Sequence, residues 1–169
     1  MRAILLVGWF VAACGSAKPP GLGGSLDAAW SGADTGSLRA SATARWCAES
    51  RFGEILGVRG DTGIAIAVRH ADSLAAGRYA AVLPDSADTA AASATVGLRF
   101  LGRTSVTGYQ SDSGTVTLQP DRTGRLTADF DVRARVVGSV ALIHLRGRAT
   151  GVPLVLGGDE CTAPWRPSE

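Results

Sequence analysis

The sequence predicts an all-β domain, an antiparallel β-sandwich or small β-barrel of about 8 to 9 strands with at most one short helical turn. Two observations carry this reading. Apolar and polar residues alternate with a period of two, most clearly over residues 125–136. There Leu126, Ala128, Phe130, Val132, Ala134 and Val136 share one parity, and Thr127, Asp129, Asp131, Arg133 and Arg135 the other. Turn residues recur every 8 to 12 positions or so, and no stretch holds a 3.6-residue period beyond about two turns.

Taken in order, Leu38, Ala40, Ala42, Ala44 and Trp46 alternate with Arg39, Ser41, Thr43 and Arg45 into Cys47, a half-buried first strand. Residues 54–59 and 64–68 flank Gly60-Asp61-Thr62-Gly63 and read as a hairpin. Residues 71–76 suit a single helical turn that Gly77 breaks, and residues 78–83 a strand stopped by Pro84. Residues 85–92 are polar and Ala-rich, a loop. Strands follow at 94–100, 105–109 and 115–118, the last two separated by the turn signal Asp112-Ser113-Gly114. After residues 125–136, Gly138-Ser139 turns into a strand at 140–148, and residues 152–156 close the set. The run Gly114 to Leu118, then Gly124-Arg125-Leu126, then residues 147–153, resembles the closing strands of small exported β-domains, a likeness of architecture that implies no activity.

The N-terminus is of another kind. Arg2 precedes an apolar stretch from Ala3 to Ala13, the length of a signal-peptide core and too short to span a bilayer. It ends in Val11-Ala12-Ala13-Cys14-Gly15, which resembles the lipobox of bacterial lipoproteins, with Val11 where Leu is commoner. The resemblance covers only the first 16 residues or so. It implies cleavage before Cys14, a diacylglycerol on the Cys14 thiol and, with Gly15 and Ser16 following, an outer-membrane address in a host with two membranes. Ordinary secretory cleavage after Ala17 is the competing route, and it also exports the chain. Residues 1–13 are thus expected to be a cleaved signal peptide, 14–35 a lipidated end and Gly/Ser/Pro-rich tether, 36–162 one β-domain and 163–169 a tail. With Cys14 taken by lipid, Cys47 and Cys161 remain as a pair. In an oxidising compartment they are expected to bridge, closing a loop of about 114 residues for about 4 to 5 kcal/mol by chain entropy. Trp46, beside Cys47, is expected to pack on that disulfide.

A net charge of +2, with both signs interspersed, gives no footprint for nucleic acid. Too few aromatic residues are present for the girdles of an outer-membrane barrel. Asp34-Thr35-Gly36, Asp61-Thr62-Gly63 and Asp112-Ser113-Gly114 resemble aspartic-protease triplets, but polar and turn-like residues precede each, and Asp-x-Gly is also what a tight turn requires. Arg59-Gly60-Asp61 spells an adhesion tripeptide on a hairpin tip. His70 with Asp72, and His144, are the weak metal candidates. His70 shares parity with Val68, and His144 with Val140 and Leu142, so core-edge imidazoles are the expectation for both. No nucleophile motif, phosphate loop or cofactor signature occurs, and no cofactor is expected.

The functional expectation is a membrane-anchored envelope lipoprotein, non-catalytic, whose β-domain binds a protein or small molecule or serves a structural role. Its partner by construction is the lipid bilayer. The alternatives are a carrier of small hydrophobic ligands in a barrel cavity, and a hydrolase or metal-dependent enzyme built from dispersed residues.

Overall fold

The structure, a computed structural model, describes residues 23–69, 71, 73–84, 91–102, 104–136 and 138–157. Their nine strands are β1 (Gly24–Gly32), β2 (Gly36–Cys47), β3 (Phe52–Arg59), β4 (Thr62–Arg69), β5 (Gly77–Ala81), β6 (Ser93–Leu101), β7 (Val106–Pro120), β8 (Arg125–Val136) and β9 (Leu142–Leu156). They form one closed barrel in the order β1-β2-β3-β4-β6-β5-β7-β8-β9, which β9 completes by pairing antiparallel to β1. The open choice between sandwich and barrel is therefore resolved as a barrel. Eight of the strands follow chain order around the ring as a meander. Short β5 is wedged in where β7, paired with β6 through Gln110, swings away from it.

That fork leaves backbone groups to satisfy, and Ser111 does so. Its buried hydroxyl accepts from the Val96 N–H at 2.9 Å and donates to the Val82 carbonyl at 3.2 Å.

Each strand buries alternate side chains because the ring has one inside. Leu26, Ala28 and Trp30 on β1, Leu38 to Trp46 on β2, Ile64, Ile66 and Val68 on β4 and Leu126 to Ala134 on β8 all join a single core cluster. Glycines on the inner wall make room for the large members. A Cβ on Gly147 would stand 2.5 Å from Phe130 Cζ, and one on Gly57 would stand 3.1 Å from Leu26 Cβ. At one end Leu74 covers the core, and a Cβ on Gly53 would meet its Cδ2 at 2.6 Å. At the other, Trp30 packs on Phe100 at 5.6 Å and Phe100 meets Tyr109 edge-on at 6.3 Å. The lumen is thus filled by the barrel's own side chains.

Four expectations are corrected. The barrel begins at Gly24, inside the stretch read as tether, because Leu26, Ala28 and Trp30 alternate strictly and give β2 and β9 the partner that closes the ring. Asp112-Ser113-Gly114 is not a chain reversal but a bulge within the single strand β7. Pairing to β8 shifts between Ser111 and Ser113, and Gly114 takes φ 125°. The strands expected at 140–148 and 152–156 are likewise one strand, β9, kinked at Gly151 with φ 60°. The helical turn at 71–76 is absent among the described residues, where buried Ala71 and Leu74 instead lie in irregular chain.

Candidate functional site

With the inside filled, what the barrel offers to other molecules is its outer wall and its two ends. Outward side chains on the β7–β8–β9–β1–β2 side form a ladder of charges, most of them exposed. Arg39 pairs with Asp27, Arg148 with Asp129 at 3.5 Å, and Arg135 with Asp112 at 3.7 Å. The Asp27 hydrogen bond, then its charge, raises the Arg39 guanidinium above its ordinary value. Exposed pairs of this kind contribute little to stability and keep the wall wet.

His144 belongs to this ladder. Its Nε2 lies 2.6 Å from Asp131 Oδ1, with both side chains largely exposed. The expected core-edge position is therefore corrected. Val140 lies outside the strand and is 95% exposed, so it sets no parity; Ile143 and Leu145 are the inward residues, and His144 faces out with Arg146 and Arg148. Ser31 stands opposite His144 in the β1–β9 register, but no hydrogen bond joins them among the described residues. His70 and Asp72 lie outside the described residues. Arg69, which ends β4, stands on the opposite side of the ring from β9. Among the described residues, no group of three or more His, Cys, Asp or Glu side chains is placed to hold a metal ion.

The three Asp-x-Gly triplets are separate local devices. Asp34 Oδ1 accepts the Thr35 N–H at 2.7 Å in the β1–β2 turn, and Asp61 Oδ1 accepts the Thr62 hydroxyl at 3.0 Å in the β3–β4 turn. Asp112 sits in the β7 bulge. The adhesion-like tripeptide occupies the tip of the β3–β4 hairpin, as expected, where Gly60 takes φ 61°. There Arg59 Nη1 donates to the Arg39 carbonyl at 3.4 Å, and the Asp61 carbonyl accepts from Leu101 N–H at 2.7 Å.

The outer wall of β2–β3–β4–β6 differs in character. A groove of about 350 Å³ runs along it, lined by apolar Leu56, Val58, Ala65 and Leu101, with Gly63 and Gly97 lowering its floor. Arg45, Glu54 and Arg99 edge it. Arg45 Nη2 holds Glu54 Oε2 at 2.9 Å, and loss of solvent lowers the Arg99 guanidinium. Above the groove, Cys47, Phe52 and Ala67 form a second buried cluster. Trp46, expected on the sulfur, turns into the main core instead, since successive residues of a strand face opposite ways; Phe52 is the aromatic beside Cys47. Cys14 and Cys161 lie outside the described residues. The groove was not legible as a site because Leu56, Ala65 and Gly97 meet only through cross-strand register.

Comparison with protein-family models, with curated proteins and with solved structures finds no match to this chain.

The two ends of the barrel also differ. Gly24 pairs with Ala42, and the Gly157 N–H donates to the Trp46 carbonyl at 2.7 Å, so the described chain enters and leaves beside the second half of β2. The turns after β1, β3, β6 and β8 stand at the opposite end. Leu101 and Val106 flank one of them and Val140 and Leu142 another, all four with apolar side chains in solvent.

Proposed function

We propose that this chain is a lipid-anchored envelope protein whose barrel is a non-catalytic binding or structural module, presented to its partners by its outside. The observation that supports it best is the polarity of the barrel. Its N-terminal strand starts at the end where the chain also leaves, and Cys14 stands ten residues before Gly24. Ten residues reach about 33 Å when extended. A diacylglycerol on Cys14 therefore holds that end toward the bilayer and points the turns bearing Leu101, Val106, Val140 and Leu142 outward, where exposed apolar side chains suit a protein partner. The filled lumen favours this reading over a carrier of hydrophobic ligands. Engagement of His144 by Asp131 on an open wall favours it over a dispersed metal site.

Cys47 with Cys161 completes the proposal. Gly157 bonds to the residue before Cys47, and Cys161 is four positions further on, within reach of a bridge.

Intact mass spectrometry of the protein extracted from native membranes tests the anchor. The expected mass begins at Cys14 and carries acyl groups, and Cys14→Ser moves the protein to the soluble fraction. An unacylated chain beginning after Ala17 overturns the anchor and makes this a free secreted barrel.

A further inference from the structure

We infer that the hollow on the outer wall where β9, β1 and β2 meet is a binding site for a phosphate monoester, bordered by Arg146, Arg39 and Arg59. The inference rests on the reading of the barrel as a non-catalytic binding module and is independent of the anchor.

The register of the wall makes the site. Two rungs of outward side chains cross β7, β8, β9, β1 and β2 side by side. The first reads Thr117, Asp129, Arg148, Asp27, Arg39. On it each guanidinium has a carboxylate on a neighbouring strand, and Arg148 pairs with Asp129 and Arg39 with Asp27. The second reads Thr115, Asp131, Arg146, Ala29, Ser37. Ala29 stands where the first rung has Asp27, so β1 offers Arg146 no acid. Asp131, its neighbour on β8, is engaged by His144 Nε2 at 2.6 Å. Among the described residues Arg146 forms no hydrogen bond or ion pair.

The same rung hollows the wall. Ala29 and Ser37 carry small side chains, and Arg39, Arg59 and Arg146 border the resulting depression of about 610 Å³. Arg59 Nη1 donates to the Arg39 carbonyl at 3.4 Å, which fixes that guanidinium against β2. Arg39 gives its Nε to Asp27. A guanidinium has five N–H donors, so both keep others for a ligand.

Charge names the ligand. Three guanidinium groups and one carboxylate, Asp27, border the hollow, which leaves two positive charges uncompensated. A phosphate monoester brings about −1.5 to −2 charges at neutral pH and three acceptor oxygens suited to forked N–H donors. A carboxylate brings only one charge and two oxygens. Beyond the phosphate, the Ser37 hydroxyl and the Ala29 methyl meet the organic part of the ester, whether sugar or lipid headgroup.

Phosphorus NMR titrations of glucose 6-phosphate and of water-soluble dihexanoyl phosphatidic acid with the purified mature protein, at low ionic strength, test the site. Ala29→Asp supplies the missing acid beside Arg146 on an exposed face and keeps all three guanidinium groups. Arg135→Met removes one charge from the same wall outside the hollow. Saturable binding that Arg146→Met and Ala29→Asp each weaken roughly tenfold, and that Arg135→Met leaves unchanged, supports the site. The tighter of the two esters then identifies the source as a sugar or a lipid headgroup. An equal loss in Arg135→Met overturns the site in favour of general attraction by the wall. Absence of saturable binding, or binding that Ala29→Asp leaves intact, also overturns it. Growth of an inorganic phosphate resonance in a titration that otherwise supports the site overturns the non-catalytic reading alone.

Discussion

Tyr79 and Tyr109, the chain's two tyrosines, show what the closed barrel does to a single polar group. Both are core residues. Burial raises both phenols above their ordinary value, and at Tyr109 the charge of Asp34 adds to the effect. The Tyr79 hydroxyl keeps one partner, the Ala75 carbonyl at 3.1 Å. A raised acid stays neutral in the fold while the unfolded chain ionises at its usual value near 10 or so. The stability these residues contribute is therefore complete below that pH and is lost as pH climbs through the folded-state values. Absorbance at the tyrosinate band should place both transitions above the ordinary value while the protein stays folded, and Asp34→Asn should move only one of the two phenols back toward it. A normal titration of both would mean that solvent reaches the lumen. The sequence marked neither tyrosine, because each is buried by strands remote in the chain. His144 was misread for a related reason: its parity was taken from Val140 and Leu142, apolar residues that both stand in solvent.

At the level of elements, alternation located the strand segments well and their joins poorly. A period-two pattern continues across a bulge only after changing phase. On β7 the buried set runs through Tyr109 and Ser111 and then through Val116 and Leu118, odd positions before the bulge and even positions after it. A phase change marked by Asp-Ser-Gly looks the same in sequence as two strands and a turn. On β9 Gly151 makes the same change between Ala149 and Val152. What distinguishes a bulge from a turn is the partner strand, since β8 runs past both sites without reversing. Gly114 bears the geometry on β7. It holds positive φ, and a Cβ there would stand 2.6 Å from Val132 Cα on β8 and closer still to the Asp131 carbonyl. Gly114→Ala should cost about 1 to 3 kcal/mol from backbone strain and overpacking together. Gly124→Ala, also at positive φ but with open space around its Cβ, carries the strain without the clash and should cost less. Denaturant midpoints of the two variants compare these directly, and equal losses would mean that β8 gives way freely at Gly114.

At the level of the whole molecule, the fold class was legible and the closure was not, because alternation tells which side of a strand is buried but not which strand lies beside it. The strand that closes the ring was hidden by its composition: Gly24, Ser25, Ala28 and Ala29 resemble a linker, and only Leu26, Ala28 and Trp30 at every second position betray β1. Its partners are far apart in the chain, with Leu26 opposite both Ala40 and Ala149. Joining β1 to β9 therefore demands the longest-range pairing in the barrel, a contact of the kind that slows folding. Closure also removes the edges. Without β1, both β2 and β9 expose backbone donors and acceptors over a length of strand that nothing else covers, a template for pairing with another copy. The short parallel contact of β2 with β9 at residues 44–46 and 154–156 is too brief to replace it. A chain starting at Gly36 should therefore associate in sedimentation or light scattering and lose its single cooperative unfolding transition. Under the same conditions a chain starting at Gly23 should remain monomeric and cooperative, since it keeps every strand. If the shorter chain stayed monomeric and unfolded in one sharp step, β1 would be a removable addition to a barrel that β2 and β9 can close on their own.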